Sequence, residues 1–297
     1  MPLNVTKKGD KEYLYFKANG PNKLYLGTTE KPNVAKIEEA IGHLNARIGK
    51  YENEKQRLEN LLLGKRKFNI IYQLVAFDLD GVIFDKPWRG ITTSKVAVST
   101  WDKLFQELGM YDTHEKYKQK FENDGWSIME WTDAACKAIQ PVLERETFEK
   151  VINQRPFMPG ARELFKILRK EKVITAVITG SFDALAQRAS RELGGIDHTY
   201  AHAELHFNSN GSLEDWRLNP TDYEDKVIAV EQIAREHRIP LDKCAYVGDD
   251  VNDVSIFKKV GLSIAFNSDK SEVNQAAKVV IESRNLQSIL AHLEVKK

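Results

Sequence analysis

The feature that most constrains this chain is an alternation. Between residues 71 and 281, five short apolar runs recur: IYQLVAF (71–77), VITAVI (173–178), CAYV (244–247), LSIAF (262–266) and KVVI (278–281). Stretches with helical patterning lie between them at 160–170, 182–193, 224–237, 251–259 and 271–276. Apolar strands of this length, separated by helices, predict a mostly parallel sheet covered on both faces. In such sheets a ligand site forms at the carboxyl ends of the strands. Residues that directly follow the five runs are therefore the first candidates for chemistry.

One block interrupts the alternation. From about Thr93 to Gln154 the sequence is helical, through VAVSTWDKLFQELG, THEKYKQKFEND, SIMEWTDAACKAIQ and ERETFEKVINQ, with no convincing strand. It follows the first apolar run, which makes it an insert placed to cover a site at that strand's end. Ahead of the alternation stand two short strand-like runs, 12–18 (EYLYFKA) and 23–27 (KLYLG), joined by Asn19-Gly20-Pro21-Asn22, the pattern of a β-hairpin. A helix is expected over 34–63. Its apolar residues Val34, Ile37, Ile41, Leu44, Ile48, Tyr51, Leu58 and Leu62 fall three and four apart, broken only at Lys55. A stripe of that length either forms a coiled coil, giving a homodimer, or packs on the chain's own globular part.

Composition narrows the partners. The 297 residues carry 44 Lys plus Arg against 43 Asp plus Glu, a net charge of +1, which gives no electrostatic reason to expect nucleic acid or an anionic membrane. The two cysteines, Cys136 and Cys244, lie far apart and read as reduced structural thiols. No segment has the apolar length of a membrane span, and MPLNVTKKGDKEYLYF lacks the core of a signal peptide, so a cytoplasmic protein is expected.

The strand ends hold the chemistry. Asp78 and Asp80 close the first run, one residue apart, followed by Gly81. On extended backbone both side chains would point the same way. Such a pair is compensated by a cation, shares a proton, or diverges in a bend, and glycine permits the bend. A hard divalent cation such as Mg2+ suits carboxylate oxygens. The second run leads into Thr179-Gly180-Ser181, where a hydroxyl and free N–H groups can seat phosphate oxygens or simply cap a helix. Tyr223-Glu224-Asp225-Lys226 opens a helix, a poor place for a lysine unless Lys226 points at an anion or a carboxylate. The third run ends in Gly248-Asp249-Asp250-Val251-Asn252-Asp253, and Asp249 and Asp253 share a face if a helix starts at once.

D-x-D, a hydroxyl, a lysine and an acidic G-D-x-x-N-D, in that order, resemble the four motifs of the haloacid dehalogenase superfamily of phosphatases over about residues 72 to 284. The helical insert, the stretch W-S-I-M-E-W (126–131) and the approach Y-E-D-K are most similar to the phosphoserine phosphatase branch and its archaeal-type relatives. The resemblance implies an α/β fold with a Rossmann-like core (67–92 and 155–297), a helical cap (93–154) and an appended N-terminal module (1–66). It implies Asp78 as nucleophile forming an aspartyl-phosphate, and Asp80 as the group that protonates the leaving alkoxide and then activates water. Mg2+ would be held by Asp78, the Asp80 carbonyl and Asp249. Asp253 would support the metal or orient Lys226. Thr179 and Lys226 would bind the phosphoryl oxygens of a small phosphorylated substrate, with Gly180 and Asn252 beside them.

The pattern also departs from that branch. Phosphoserine phosphatases usually read D-x-D-S-T followed by a glutamate that recognises the substrate amine. Here Gly81-Val82 stands in place of Ser-Thr, no acid occurs between Lys86 and Ser94, and Pro87-Trp88-Arg89 occupies the region. Arg89 is either an exposed loop arginine or a contact for a second anionic group on the substrate. D-L-D-G-V-I also suits phosphomutases, and an oligomeric interaction protein working through the N-terminal module is a third reading. His198, His202 and His206 recur every fourth residue, but the hairpin character of HTYAHAELHFNSNGSL would scatter the three rings rather than gather them on a metal.

Overall fold

The computed structural model describes residues 3–8, 11–17, 23–28, 36, 68–86, 99–221 and 224–294. The chain divides into two compact units, Met1–Lys67 and Phe68–Lys297.

In the first unit three strands, β1 (Leu3–Lys8), β2 (Lys11–Lys17) and β3 (Lys23–Thr28), form an antiparallel sheet in that order. The hairpin expected from the sequence is the β2–β3 pair, with a register shift between Leu14 and Tyr15. The strand β1, paired from Leu3↔Phe16 to Lys8↔Lys11, went unread because LNVTKK carries only two apolar residues. Apart from Lys36, the stripe expected over 34–63 lies outside the described residues.

The second unit is built on seven strands: β4 (Leu74–Phe77), β5 (Ile174–Phe182), β6 (His198–Phe207), β7 (Leu213–Leu218), β8 (Cys244–Gly248), β9 (Leu262–Phe266) and β10 (Val279–Ile281). Their order across the sheet is β10-β9-β8-β4-β5-β6-β7. All neighbours are parallel except β6 and β7. The central strand β4 is buried along its whole length, which explains why it reads as unbroken apolar sequence rather than as alternation. Leu74 and Ala76 face one layer, packed with Val227, Val230 and Ile233 of α7 (Glu224–Glu236). Phe77 faces the other, its ring 5.0 Å from Phe165 of α5 (Ala161–Lys170).

Two expectations need correction. The first strand begins at Leu74, because Ile71 and Gln73 spend their N–H groups on the carbonyls of Leu293 and Lys243 instead of on the sheet ladder. The helix expected at 251–259 is a 3-10 turn, Val251–Asp253, followed by the single-turn α8 (Val254–Phe257). Asp250 there binds the backbone N–H of Val251 and breaks a regular start. The β6–β7 hairpin carries the three histidines, and its place is the edge of the sheet.

Among the described residues, four helices precede α5 between β4 and β5: α1 (Thr100–Glu107), α2 (Tyr111–Asn123), α3 (Ile128–Ile139) and α4 (Arg145–Gln154). Two start with reciprocal caps. Asp102 N–H donates to Ser99 Oγ (3.1 Å) while Ser99 N–H donates to Asp102 Oδ2 (2.8 Å), and Ser127 and Glu130 repeat the arrangement. This layer is joined to the sheet by rings and a buried cation. Trp101 lies 4.1 Å from Phe182 between centroids, and Phe148 meets the same ring edge-on at 5.1 Å. Arg188 of α6 (Asp183–Leu193) donates to the carbonyls of Ile152 (2.6 Å) and Arg155 (2.8 Å). Among the described residues no helix is long and apolar enough to cross a membrane.

Candidate active site

Three parallel strands, β5, β4 and β8, lie side by side; β4 and β8 end level with each other, while β5 runs on to Phe182. Their C-terminal edges deliver Thr179, Asp78 and Asp249, and the first turn of α7 delivers Lys226 to the same place. Lys226 is wholly buried. Its ammonium donates to Asp253 Oδ1 at 2.7 Å and Asp78 Oδ2 at 3.1 Å, with Asn252 Oδ1 at 3.4 Å. A lysine opposing the helix dipole is thus accounted for by two carboxylates that more than offset the dipole. Burial alone works against the ammonium, but Asp253 and Asp78 hold it well above its ordinary pKa, so Lys226 is a permanent cation.

Asp253 has no spare oxygen. Its Oδ1 accepts from Lys226 and from the hydroxyl of Tyr246 (2.9 Å), and its Oδ2 accepts from the N–H groups of Asp249 (2.9 Å) and Asp250 (3.1 Å). The residue therefore fixes Lys226 and the acidic loop together. Tyr246 is kept neutral, and a donor, by its burial and by Asp253.

Asp78 accepts from Leu79 N–H (2.6 Å) through Oδ1, and burial pushes its carboxyl up to about 6 despite Lys226. Asp249 is pushed up to about 8, again mainly by burial, with Asp78, Asp250 and Asp253 repelling its charge. Carboxylate oxygens of Asp78, Asp249 and Asp253 lie within 4.8 Å of one another. A buried cluster of hard oxygens, two of whose carboxyls resist ionisation, is a donor set that fits Mg2+. Gly81 makes room for it: its φ is +86°, and a Cβ there would overlap the Asp249 carboxylate.

Asp80 does not share its neighbour's direction. The chain bends after Asp78, and the Asp80 carboxylate turns to the helical layer. It accepts from Thr100 Oγ1 (2.7 Å), Thr100 N–H (3.1 Å) and Arg155 Nη2 (3.0 Å). Of the three ways two adjacent acids can coexist, this chain uses the bend together with a cation on each. Thr179 is buried and accepts from Ser181 N–H at 3.2 Å; Gly180 gives its carbonyl to the Trp101 indole (3.2 Å), and a Cβ on it would meet Asn252 at 4.0 Å. Arg89 and the residues 87–98 around it lie outside the described residues.

The structure thus joins Asp78, Lys226, Asn252, Asp253 and Asp249 in one cluster, sets Thr179 and Gly180 beside it, and hands Asp80 to the helical insert. Five further residues were not singled out from the sequence. Thr100, Arg155 and Trp101 gave no local signal, since each acts on a group far along the chain, and Tyr246, whose hydroxyl the fold sets on Asp253, reads as an ordinary strand aromatic. Lys86 sits eight residues after Asp78 and binds Asp249 Oδ2. The three histidines are dispersed: His202 is buried between Thr132 Oγ1 (2.8 Å) and the Asn219 carbonyl (2.6 Å), His198 meets His237, and His206 lies 3.8 Å from Glu204.

Residues 72–261 match the model of the haloacid dehalogenase-like hydrolase family. The chain belongs to that family. It is 27% identical over 229 residues to a phosphoserine phosphatase of Methanocaldococcus jannaschii, a match covering 75% of this chain and 98% of the relative. It is 25% identical to one from Archaeoglobus fulgidus, over 82% of this chain and 66% of that protein. A solved phosphoserine phosphatase, described as a phospho-aspartyl intermediate analogue, superposes with a TM-score of 0.62 at 27% identity, covering 76% of this chain and 99% of the other. This haloacid dehalogenase-like hydrolase is an enzyme similar to phosphatases, and its α/β fold is similar to theirs.

Proposed function

We propose that the protein is a Mg2+-dependent phosphomonoester hydrolase that works through an aspartyl-phosphate on a small phosphorylated metabolite. The observation that carries this reading is the buried Lys226, bonded at once to Asp78 and Asp253 where strands β4 and β8 end. An ammonium fixed there, beside the Asp78 carboxylate, stabilises negative charge gathering on a phosphoryl group.

In the first step an Asp78 oxygen attacks phosphorus, the P–O bond to the leaving group breaks, and Asp80 gives the departing alkoxide a proton. In the second step Asp80 takes a proton from water, the water oxygen attacks the aspartyl-phosphate, and the Asp78–phosphorus bond breaks to release inorganic phosphate. Lys226, Thr179 and the N–H groups beyond Gly180 bind the phosphoryl oxygens throughout. Bound to Asp78, Asp249 and the Asp80 carbonyl, Mg2+ would neutralise charge on the cluster and the phosphoryl group. Asp80 is suited to its part because it is set on the helical insert: the groups that hold it, Thr100 and Arg155, belong to the segments that enter and leave that insert. Closure of the insert over a substrate would exclude bulk water and set the acid together.

L-Phosphoserine heads the substrates to test, because the similar proteins are phosphoserine phosphatases; Gly81-Val82 and the missing acid before Ser94 argue for a different leaving group. The test is phosphate release from a panel of phosphomonoesters with Mg2+, with Asp78→Asn protein as blank. Release above the blank from at least one ester is expected, and release no higher than the blank from all of them overturns the reading.

A further inference from the structure

Lys86 has no part in the chemistry described above, yet its ammonium is bonded to the one carboxylate of the cluster that Lys226 does not touch. The side chain of Lys86 is mostly buried, at 18% exposure, and that of Asp249 has 7%. Burial works against the Lys86 charge, but Asp249, with Asp269 and Asp250 nearby, holds its pKa above the ordinary lysine value. On the outer side Lys270 is bonded to Asp250, so the acidic loop 249–250 is clamped by two lysines from different parts of the chain.

The oxygens of the cluster are nearly all committed. Both oxygens of Asp253 are occupied twice over, and the two oxygens of Asp78 accept from Leu79 N–H and Lys226. Asp78 keeps a site on each oxygen, and Asp249 is the carboxylate with most capacity left for a cation; Lys86 holds one of its oxygens. Three carboxylates with Lys226 and Lys86 carry one net negative charge; a divalent cation in place of Lys86 makes the cluster neutral. Retaining Lys86 beside a divalent ion on the same carboxylate would instead set two cations against each other in a buried site.

We propose that Lys86 is a resident counter-cation of the metal centre: its ammonium and the divalent ion compete for Asp249, and Lys86 leaves that carboxylate when metal binds. The proposal rests on the reading of Asp249 as a metal ligand. It gives Lys86 two consequences. Without metal it keeps a buried, mutually repelling carboxylate cluster folded. With metal it frees an ammonium at the mouth of the site, where a flexible cation can bind an anionic substituent on the substrate.

The experiment is Mg2+ binding by calorimetry to the full chain without substrate, comparing wild type, Lys86→Met, Lys86→Gln and Asp249→Asn, with melting curves for each. Both Lys86 variants are expected to bind Mg2+ about tenfold more tightly than wild type and to melt lower without metal, the gap closing when Mg2+ is added. Unchanged or weaker binding in both Lys86 variants, with wild type binding and Asp249→Asn not, overturns the competition while leaving the metal reading intact. Equal binding by wild type and Asp249→Asn, or none by either, removes the metal reading itself and the proposal with it.

Discussion

Lys226 and Asp253 form an ion pair in which neither side chain has any exposure, Nζ to Oδ1 at 2.7 Å. Asp253 also holds Tyr246 and two backbone N–H groups, so it is the residue through which β8, the acidic loop and α7 are locked together. A buried charge that loses its partner is costly, typically by about 3–5 kcal/mol. Asp253→Asn is therefore expected to destabilise the fold by about that much in urea unfolding. Asp78→Asn is expected to destabilise far less, because Asp78 lies farther from the lysine, at 3.1 Å, and otherwise accepts only from Leu79 N–H, whereas Asp253 also holds Tyr246 and two N–H groups. Equal losses for the two variants would contradict this division of labour.

Gly81 is required twice over, by a φ of +86° and by the carboxylate of Asp249 in the space a Cβ would take. Gly81→Ala is expected to cost about 1–2 kcal/mol in strain and to weaken Mg2+ binding by moving Asp249. Calorimetry on the variant checks it, and metal affinity equal to wild type would show that the loop yields without disturbing the centre.

The Asp80 carboxylate is held from the helical insert by both polar groups of Thr100. Asp80→Asn is expected to lower kcat by about 10²–10⁴, the usual range for a lost general acid–base. Thr100→Val keeps the side-chain shape and removes one hydrogen bond to a charged group, which corresponds to about a tenfold loss. The loss should fall on kcat rather than KM. A change confined to KM would instead assign Thr100 to substrate binding.

His202 gives a pH dependence separate from catalysis. It is buried against Thr132 of α3 and the Asn219 carbonyl, and burial lowers its pKa below the ordinary value. The unfolded chain therefore binds a proton that the folded chain refuses. The resulting stability is fully present above the unfolded value of about 6.5 and is lost as pH falls below it, by at most about 1.4 kcal/mol per pH unit. The raised carboxyls of Asp78 and Asp249 act in the opposite sense over the same range, so the fall is read as the difference between wild type and His202→Gln in urea unfolding from pH 7.5 to 5.5, in which the shared carboxyls cancel. Identical profiles would mean that His202 does not control the dependence.

What could be read in the sequence and what could not follows a physical line. Strands β4, β8 and β9 and the acids after β4 and β8 were legible because a buried parallel strand must be apolar throughout and stops where the polar site begins; β5 instead runs four residues past the apolar run read at 173–178, through Thr179, Gly180 and Ser181 to Phe182. The helix α9 (Ser271–Ala276) falls on the bounds read from the sequence. The direction of Asp80 was not legible. An extended D-x-D puts both acids on one side, and the bend that separates them depends on Gly81 at positive φ and on donors 20 and 75 residues away, Thr100 and Arg155. Tyr246 was hidden too: in CAYV it is one more strand aromatic until the fold sets its hydroxyl on Asp253. Lys86 stood in plain view, but a lysine in a loop says nothing until the opposing carboxylate is placed.

The central claim is that Asp78 carries the phosphoryl group. Rapid acid quenching of the protein during turnover of a labelled ester tests it directly. The expected result is label bound to denatured wild-type chain, released by hydroxylamine as an acyl phosphate must be, and absent from Asp78→Asn. Phosphate release from the wild type with no such label at any time, or label retained on Asp78→Asn, would contradict it.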